Sequence, residues 1–258
     1  MKRLPLLLTV LLLLPIPAKA QLGALIAMNT PYYARGVVHF KDGRQGEYLW
    51  VELPKISATE VRVTDDPKKK KVEKLSAADI DHIVFWSDKF PEDKVALWYI
   101  HADKSKLPLM GLAPVDGWGY PIAASAWGAI FKCNAFYQID KKSGHIVAGY
   151  TYDQKFGAAG ENPALCYLVC KDFKNAQTIG HSGSYDGNNM QFYGYPKHIA
   201  PFFKSNPEIS DAILKKKLTA INMQYILDQM AIYHGLTVPE EEKEEVEVNV
   251  NGQEGDDE

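Results

Sequence analysis

The sequence predicts an α+β fold that is mainly antiparallel β. A small N-terminal β barrel or curled sheet leads into a second antiparallel sheet, and a C-terminal helical pair closes the chain. Three observations support this. Apolar residues alternate with a period of two from Gly36 onward, as in "GVVHFKDGRQGEYLWVELP", because side chains change face at every step of a strand. Turn-forming residues interrupt the alternation at short intervals, the mark of hairpins. From Pro196 the apolar spacing becomes three and four, the spacing of one helix face.

The elements follow in order. Asp42-Gly43 sits between two alternating runs, and glycine accepts the positive φ of a tight hairpin turn. Val38 and Phe40 share one face; beyond the turn Leu49, Val51 and Leu53 alternate against Tyr48 and Trp50. "EVRVT" and "KKVEKL" form a second hairpin around "DDPKKK". Ser76 caps one short turn before the apolar strand "DIDHIVFW". Five short strands in about fifty residues suggest a small barrel, ending near the polar stretch "SDKFPEDK".

The second β region begins at "VALWYIHA". The glycine- and proline-broken "APVDGWGYP" reads as a loop. "IFKCNAFYQID" is the longest alternation, with Phe131, Cys133, Ala135, Tyr137 and Ile139 on one face, paired across "KKSG" with "HIVAGYTYD". "GAAGENP" reads as a loop, "ALCYLVC" as a strand and "SGSYDGNNM" as a break. Asn206 then caps a helix with Pro207 at its first position. Ile209, Ala212 and Ile213 form its stripe, and Lys215 to Lys217 complement its C-terminal dipole. Met223, Ile226, Leu227, Met230 and Tyr233 mark a second helix, stopped by His234-Gly235. Both stripes must pack on something, and the sheet is the surface at hand.

The two ends differ from the body. Lys2 and Arg3 precede the apolar "LPLLLTVLLLLPIP", and "AKA" follows. This is the order of a secretory signal, with cleavage expected between Ala20 and Gln21. The apolar run is shorter than the ~20 residues that cross a bilayer as a helix. The expected mature protein is therefore exported and soluble, periplasmic or secreted, without a transmembrane segment. Residues 240–258 hold ten acids, one lysine and no aromatic residue, so a disordered acidic tail is expected. The domains expected are a signal peptide at 1–20, a small β domain at 21–90, an antiparallel sheet with C-terminal helices at 91–239, and the tail at 240–258.

The net charge of −3 belongs to the ends. With the acidic tail and the basic leader set aside, the body carries +3, which offers no general pull toward nucleic acid. "PKKKK" is the one dense basic patch and belongs at a solvated hairpin tip.

Three cysteines pose the question of metal, disulfide or packing. Along a strand Cys166 and Cys170 lie roughly 13 Å apart, too far for a disulfide, which needs Cα atoms within about 7 Å. Three outcomes stay open: buried thiols, which the pattern favours, one bridge from Cys133 to either partner, or a metal. No Cys-x-x-Cys or spaced histidine supports the metal, and no cofactor signature appears.

For catalysis the candidate is "GHSGSYDG", residues 180–187, which gathers His181, Ser182 and Ser184 in a glycine-rich stretch. A serine nucleophile needs a base within hydrogen-bond reach and a group that orients the base. Ser184 occupies the second glycine position of Gly-x-Ser-x-Gly, and no strand–turn–helix context surrounds it. A turn built from Ser, Gly, Asp and Asn accounts for the same residues. For binding, Trp118, Tyr120 and Tyr185 are the loop aromatics to watch. His39, His82, His101, His145 and His198 show no ligand spacing and read as strand or surface residues.

Phe202, Phe203, Pro207, Glu208 and Tyr233, with the glycine-framed start at residues 36–46, carry a resemblance. The chain resembles uncharacterised exported β-rich proteins of Gram-negative bacteria with a C-terminal helical pair, over about two thirds of its length. That resemblance implies fold and export, and it brings no catalytic residues. The expected role is a non-catalytic binding or envelope-associated module with a protein or envelope partner. The alternative is a secreted serine hydrolase using the 180–187 stretch.

Overall fold

A computed structural model describes residues 31–55, 57–103, 116–134, 136–148, 150–153, 158–161, 164–182, 190–192 and 196–236. The expected signal peptide and acidic tail lie outside the described residues, as do Ser184 and Tyr185.

Six strands come first: β1 (Tyr33–Phe40), β2 (Gln45–Glu52), β3 (Glu60–Thr64), β4 (Glu73–Ser76), β5 (Ile80–Ser87) and β6 (Phe90–His101). β7 (Asp116–Ala124) and β8 (Gly128–Cys133) follow. Two small hairpins come next, β9 (Tyr137–Ile139) with β10 (Ile146–Ala148), and β11 (Tyr150–Asp153) with β12 (Ala158–Glu161). β13 (Ala164–Cys170), β14 (Gln177–Ser182) and β15 (Met190–Phe192) complete the strands. The chain then forms α1 (Pro196–Ile199), a 3-10 turn (Ala200–Phe203), α2 (Pro207–Leu214), a second 3-10 turn (Ala220–Asn222) and α3 (Met223–Tyr233).

Eleven strands make one sheet in the order β15-β14-β13-β8-β7-β6-β5-β1-β2-β3-β4. All its ladders are antiparallel. Local chemistry sets the turns: Gly43 takes φ +87° at the first hairpin tip. At the second tip the Asp66 carboxylate accepts from the backbone N–H groups of Lys68 and Lys70 at 2.9 and 3.0 Å. Among the described residues no pairing joins the outer strands into a closed barrel. The sheet does curl, because the Trp118 Nε1 of β7 donates to the Ala58 carbonyl between β2 and β3 at 2.8 Å.

The inner face of the curled sheet carries two cores. Val38, Val51, Val63, Ile83, Phe85, Leu97, Trp118 and Tyr137 form the first. Ile130, Leu168 and Ile179 meet Phe203, Ile213, Ile226, Leu227 and Met230 in the second, which is where the helices dock. Asn206 caps α2 as expected, its side chain accepting from the backbone N–H groups of Glu208 and Ile209, and Gly235 follows α3 with φ +64°. The Gln224 side chain grips both the N–H and the carbonyl of Ala124 in β7. The outer face holds a smaller cluster around Ile100, Cys133 and Tyr167, flanked by Trp98 and Phe131.

Several expectations need correction. "GWGYP" is not a loop but part of β7. "GAAGENP" contains β12, and the run from Phe131 to Ile139 is not one strand. β8 stops at Cys133, and Tyr137 turns to the inner core, where its hydroxyl donates to the Trp118 carbonyl at 3.2 Å. Cys133 therefore does not share a face with Tyr137. The polar stretch at residues 87–94 is the β5–β6 hairpin, with Ser87 opposite Phe90.

Register answers the cysteine question. Cys133 stands opposite Leu165 on the outer face, whereas Cys166 stands opposite Lys132 and Cys170 opposite Gly128, both facing the helices. A strand separates its two faces, so Cys133 has no route to either partner without breaking the ladder. All three thiols are free and buried. Burial pushes Cys166 up to about 12 and Cys170 up to about 11. It also raises Cys133 well above its ordinary value of 9.0, so none is a ready nucleophile. Titration with a thiol reagent, without reductant, should find no fast-reacting thiol in the folded protein and three in denaturant. Only one in denaturant would contradict the register.

Candidate functional site

The outer face is organised by register. Gln45, His39, His82, Trp98, Gly119, Cys133, Leu165, His181 and Gln191 stand directly opposite one another across nine adjacent strands. Directly opposed residues project to the same face. The N-terminal part of this row is a stack of rings. His39 and His82 lie 4.1 Å apart, centroid to centroid, tilted by 10°, and His82 lies 5.1 Å from Trp98 at 22°. Phe131 continues the line 6.0 Å from Trp98. All four residues are half-buried, so part of each remains open to solvent.

Charge frames the row. Asp81 Oδ2 lies 2.8 Å from His82 Nδ1. On the same face Lys69 Nζ sits 4.1 Å from the Trp50 ring centroid and 4.6 Å from that of Tyr33. Lys69 adopts φ +54° to fold back in this way, so the lysine-rich hairpin tip leans over the aromatic face. Lys94 Nζ lies 5.5 Å from the Trp86 centroid. Such cation–ring contacts contribute about 0.5–1 kcal/mol each at exposed sites.

The site residues expected from sequence fall elsewhere. Trp118 is fully buried in the inner core and hydrogen-bonded, which removes it from any partner's reach. Tyr120 is half-buried and packs against the same core. His181 and Ser182 are consecutive residues at the end of β14 rather than loop neighbours, and burial lowers the His181 imidazole below its ordinary 6.5.

Sequence reasoning missed the His39–His82–Trp98 row. Its signal was present as outward positions in three strands, but aligning them requires the β1–β5 and β5–β6 registers. It also missed a serine, histidine and aspartate brought together by the helices. The Ser205 hydroxyl donates to Asp172 Oδ2, His234 Nε2 lies 3.1 Å from Ser205 Oγ, and Trp127 Nε1 donates to Asp172 Oδ1 at 3.2 Å. With the serine proton committed to the carboxylate, His234 must donate to Ser205 rather than accept from it. The roles are thus reversed from those of a nucleophile and its base, and the cluster braces the end of α3 against the turn after β13. Among the described residues no three His, Cys, Asp or Glu side chains converge as a metal ion would require. Among them, too, no helix is long and apolar enough to cross a membrane.

No family model, curated protein or solved structure matches the chain. The reading of the site therefore rests on its own geometry.

The imidazole pair carries a pH dependence. Burial strips water from a His39 cation, and His82 beside it repels a second charge, so His39 sits below its ordinary 6.5 although Asp81 opposes the shift. A lowered folded value favours the neutral ring. The stack's contribution is then complete above the ordinary value and is lost as pH falls through the lowered one. An NMR titration of the imidazoles should place His39 below 6.5, and His82→Gln should move it upward. A His39 midpoint at or above the ordinary value would contradict the stacked arrangement.

Proposed function

We propose that the mature chain is an exported, non-catalytic binding module, working in the periplasm or outside the cell, that holds a protein or envelope partner on the outer face of its sheet. The observation that carries this reading is the His39–His82–Trp98–Phe131 row. Rings already stacked on a rigid sheet lose little side-chain freedom when a partner covers them, so more of the contact survives as affinity. Tryptophan and its aromatic neighbours are also the residues that dominate binding energies at interfaces. The flanking Lys69 and Lys94 suit a partner that offers flat apolar surface bordered by acceptor groups. The basic residues Lys2 and Arg3, the apolar run after them and "AKA" support the exported part of this reading.

A secreted serine hydrolase acting through residues 180–187 is the second reading. One observation favours it: burial keeps the His181 ring in the neutral form that a general base needs. The buried thiols and the reversed Asp172–Ser205–His234 order offer it no support.

Co-sedimentation with detergent-free envelope fragments tests the proposal. Trp98→Ala should weaken retention about tenfold or more while leaving the far-UV spectrum unchanged. Equal retention of both proteins would count against the outer face. Labelling by a fluorophosphonate probe, lost in His181→Ala, would replace the binding reading with the hydrolase.

A further inference from the structure

The connection between α2 and α3 turns apolar side chains outward. Among the described residues Ile221 is the most exposed large apolar side chain, at 81%, and Leu214 at the end of α2 stands 48% exposed. Their neighbours Ile213, Ala220 and Met223 already serve the core, so Leu214 and Ile221 are surplus to it. Leu214 to Lys217 are exposed in succession, and Lys215 is tied to Asp211 at 2.6 Å. Lys216 adopts φ +58°, a left-handed conformation that helix ends usually give to glycine because a side chain is strained there. Pro196 and Lys216 line two adjoining depressions, one reaching Leu214 and the other Ile221. One lysine therefore stands between two outward aliphatic knobs. Lys217 and Tyr225 line the next depression along the turn. The dipole of α2 accounts for a cation near its last turn but not for the exposed aliphatic residues on either side.

We infer that this turn is a membrane-surface contact. Leu214 and Ile221 enter the headgroup boundary of a bilayer, and Lys215, Lys216 and Lys217 meet its anionic phosphates. Two arguments choose lipid over other occupants. An aliphatic knob that stands clear of its neighbours suits a soft boundary that closes around it, whereas protein hot spots are aromatic or arginine anchors seated in pockets. Lysine stems lie along such a boundary with the ammonium among the phosphates, and tyrosine settles at the same depth. A second copy fits poorly, because a two-fold contact uses the same patch twice and would crowd both lysine runs into one interface. The helices cover the inner face of the sheet, so this contact is separate from the aromatic row on the outer face.

Sedimentation of the mature chain with protein-free vesicles tests the inference. The chain should pellet with phosphatidylcholine vesicles containing about a quarter phosphatidylglycerol, not with phosphatidylcholine alone, and raised salt should weaken the partition. Lys215→Gln/Lys216→Gln/Lys217→Gln should reduce it about tenfold or more, and Ile221→Ser should reduce it as well. Lys216→Gly separates binding from folding: it relieves the left-handed backbone, so partition should fall while the thermal midpoint does not. Trp98→Ala should leave partition unchanged, since it alters only the outer face. No pelleting with the anionic vesicles, or equal pelleting of the triple lysine variant, would overturn the inference. A dimer in light scattering that Ile221→Ser abolishes would overturn it in favour of a second copy. Retention on polyglutamate beads without vesicle binding would overturn it in favour of an acidic polypeptide.

Discussion

A glycine–tryptophan–glycine triplet in β7 carries the constraint on which the molecule depends. The Trp118 indole fills the inner core and ties β7 to Ala58, although four strands lie between β7 and β3 in the sheet order. The flanking glycines act on the opposite side. A methyl group at Gly119 would lie 2.5 Å from Cys133 Sγ, and one at Gly117 would lie 3.0 Å from the same sulfur. Real Cβ atoms essentially never come as close as one at Gly119 would, and one at Gly117 would press tightly on the same sulfur, so Cys133 holds the space beside both glycines. One triplet thus fills one face and vacates the other.

This division shapes the rest. The inner face buries two apolar cores on one sheet, the N-terminal one closed by the curl and the C-terminal one closed by α2 and α3. The outer face needs no second layer over its N-terminal strands and can leave aromatic rings half-exposed. Such rings in register across neighbouring strands stack because a ladder places directly opposed side chains about 5 Å apart. The aromatic row is therefore a by-product of register and not a separately folded loop. The same packing buries all three thiols, and the Asp172–Ser205–His234 cluster braces the end of α3.

Much of the layout was legible in the sequence because it is local. Asp42-Gly43, Asn206-Pro207 and His234-Gly235 each announce their element through backbone chemistry confined to a few residues, and the structure has a hairpin or helix boundary at each. The misreadings share another origin. The glycines of "GWGYP" look like breakers unless Cys133 is known to lie across them. The alternation from Phe131 to Ile139 looks like one strand unless the Tyr137 hydroxyl is known to reach the Trp118 carbonyl. The histidine row was invisible for the same reason: His39 and His82 are 43 positions apart in sequence and become neighbours only through β1–β5 pairing. Period-two patterning shows that a residue faces outward but not which outward residues meet.

The most direct test of this account is the urea unfolding midpoint of Gly119→Ala. Where nothing crowds a strand glycine, alanine restricts the unfolded chain and favours the strand, raising stability by up to about 1 kcal/mol. The packing of Cys133 and the Lys132 carbonyl against Gly119 predicts the opposite sign, a loss of about 1–3 kcal/mol from forced overpacking. A midpoint equal to or above that of the unmodified protein would contradict the account, because β7 would then not be the strand that separates the two faces.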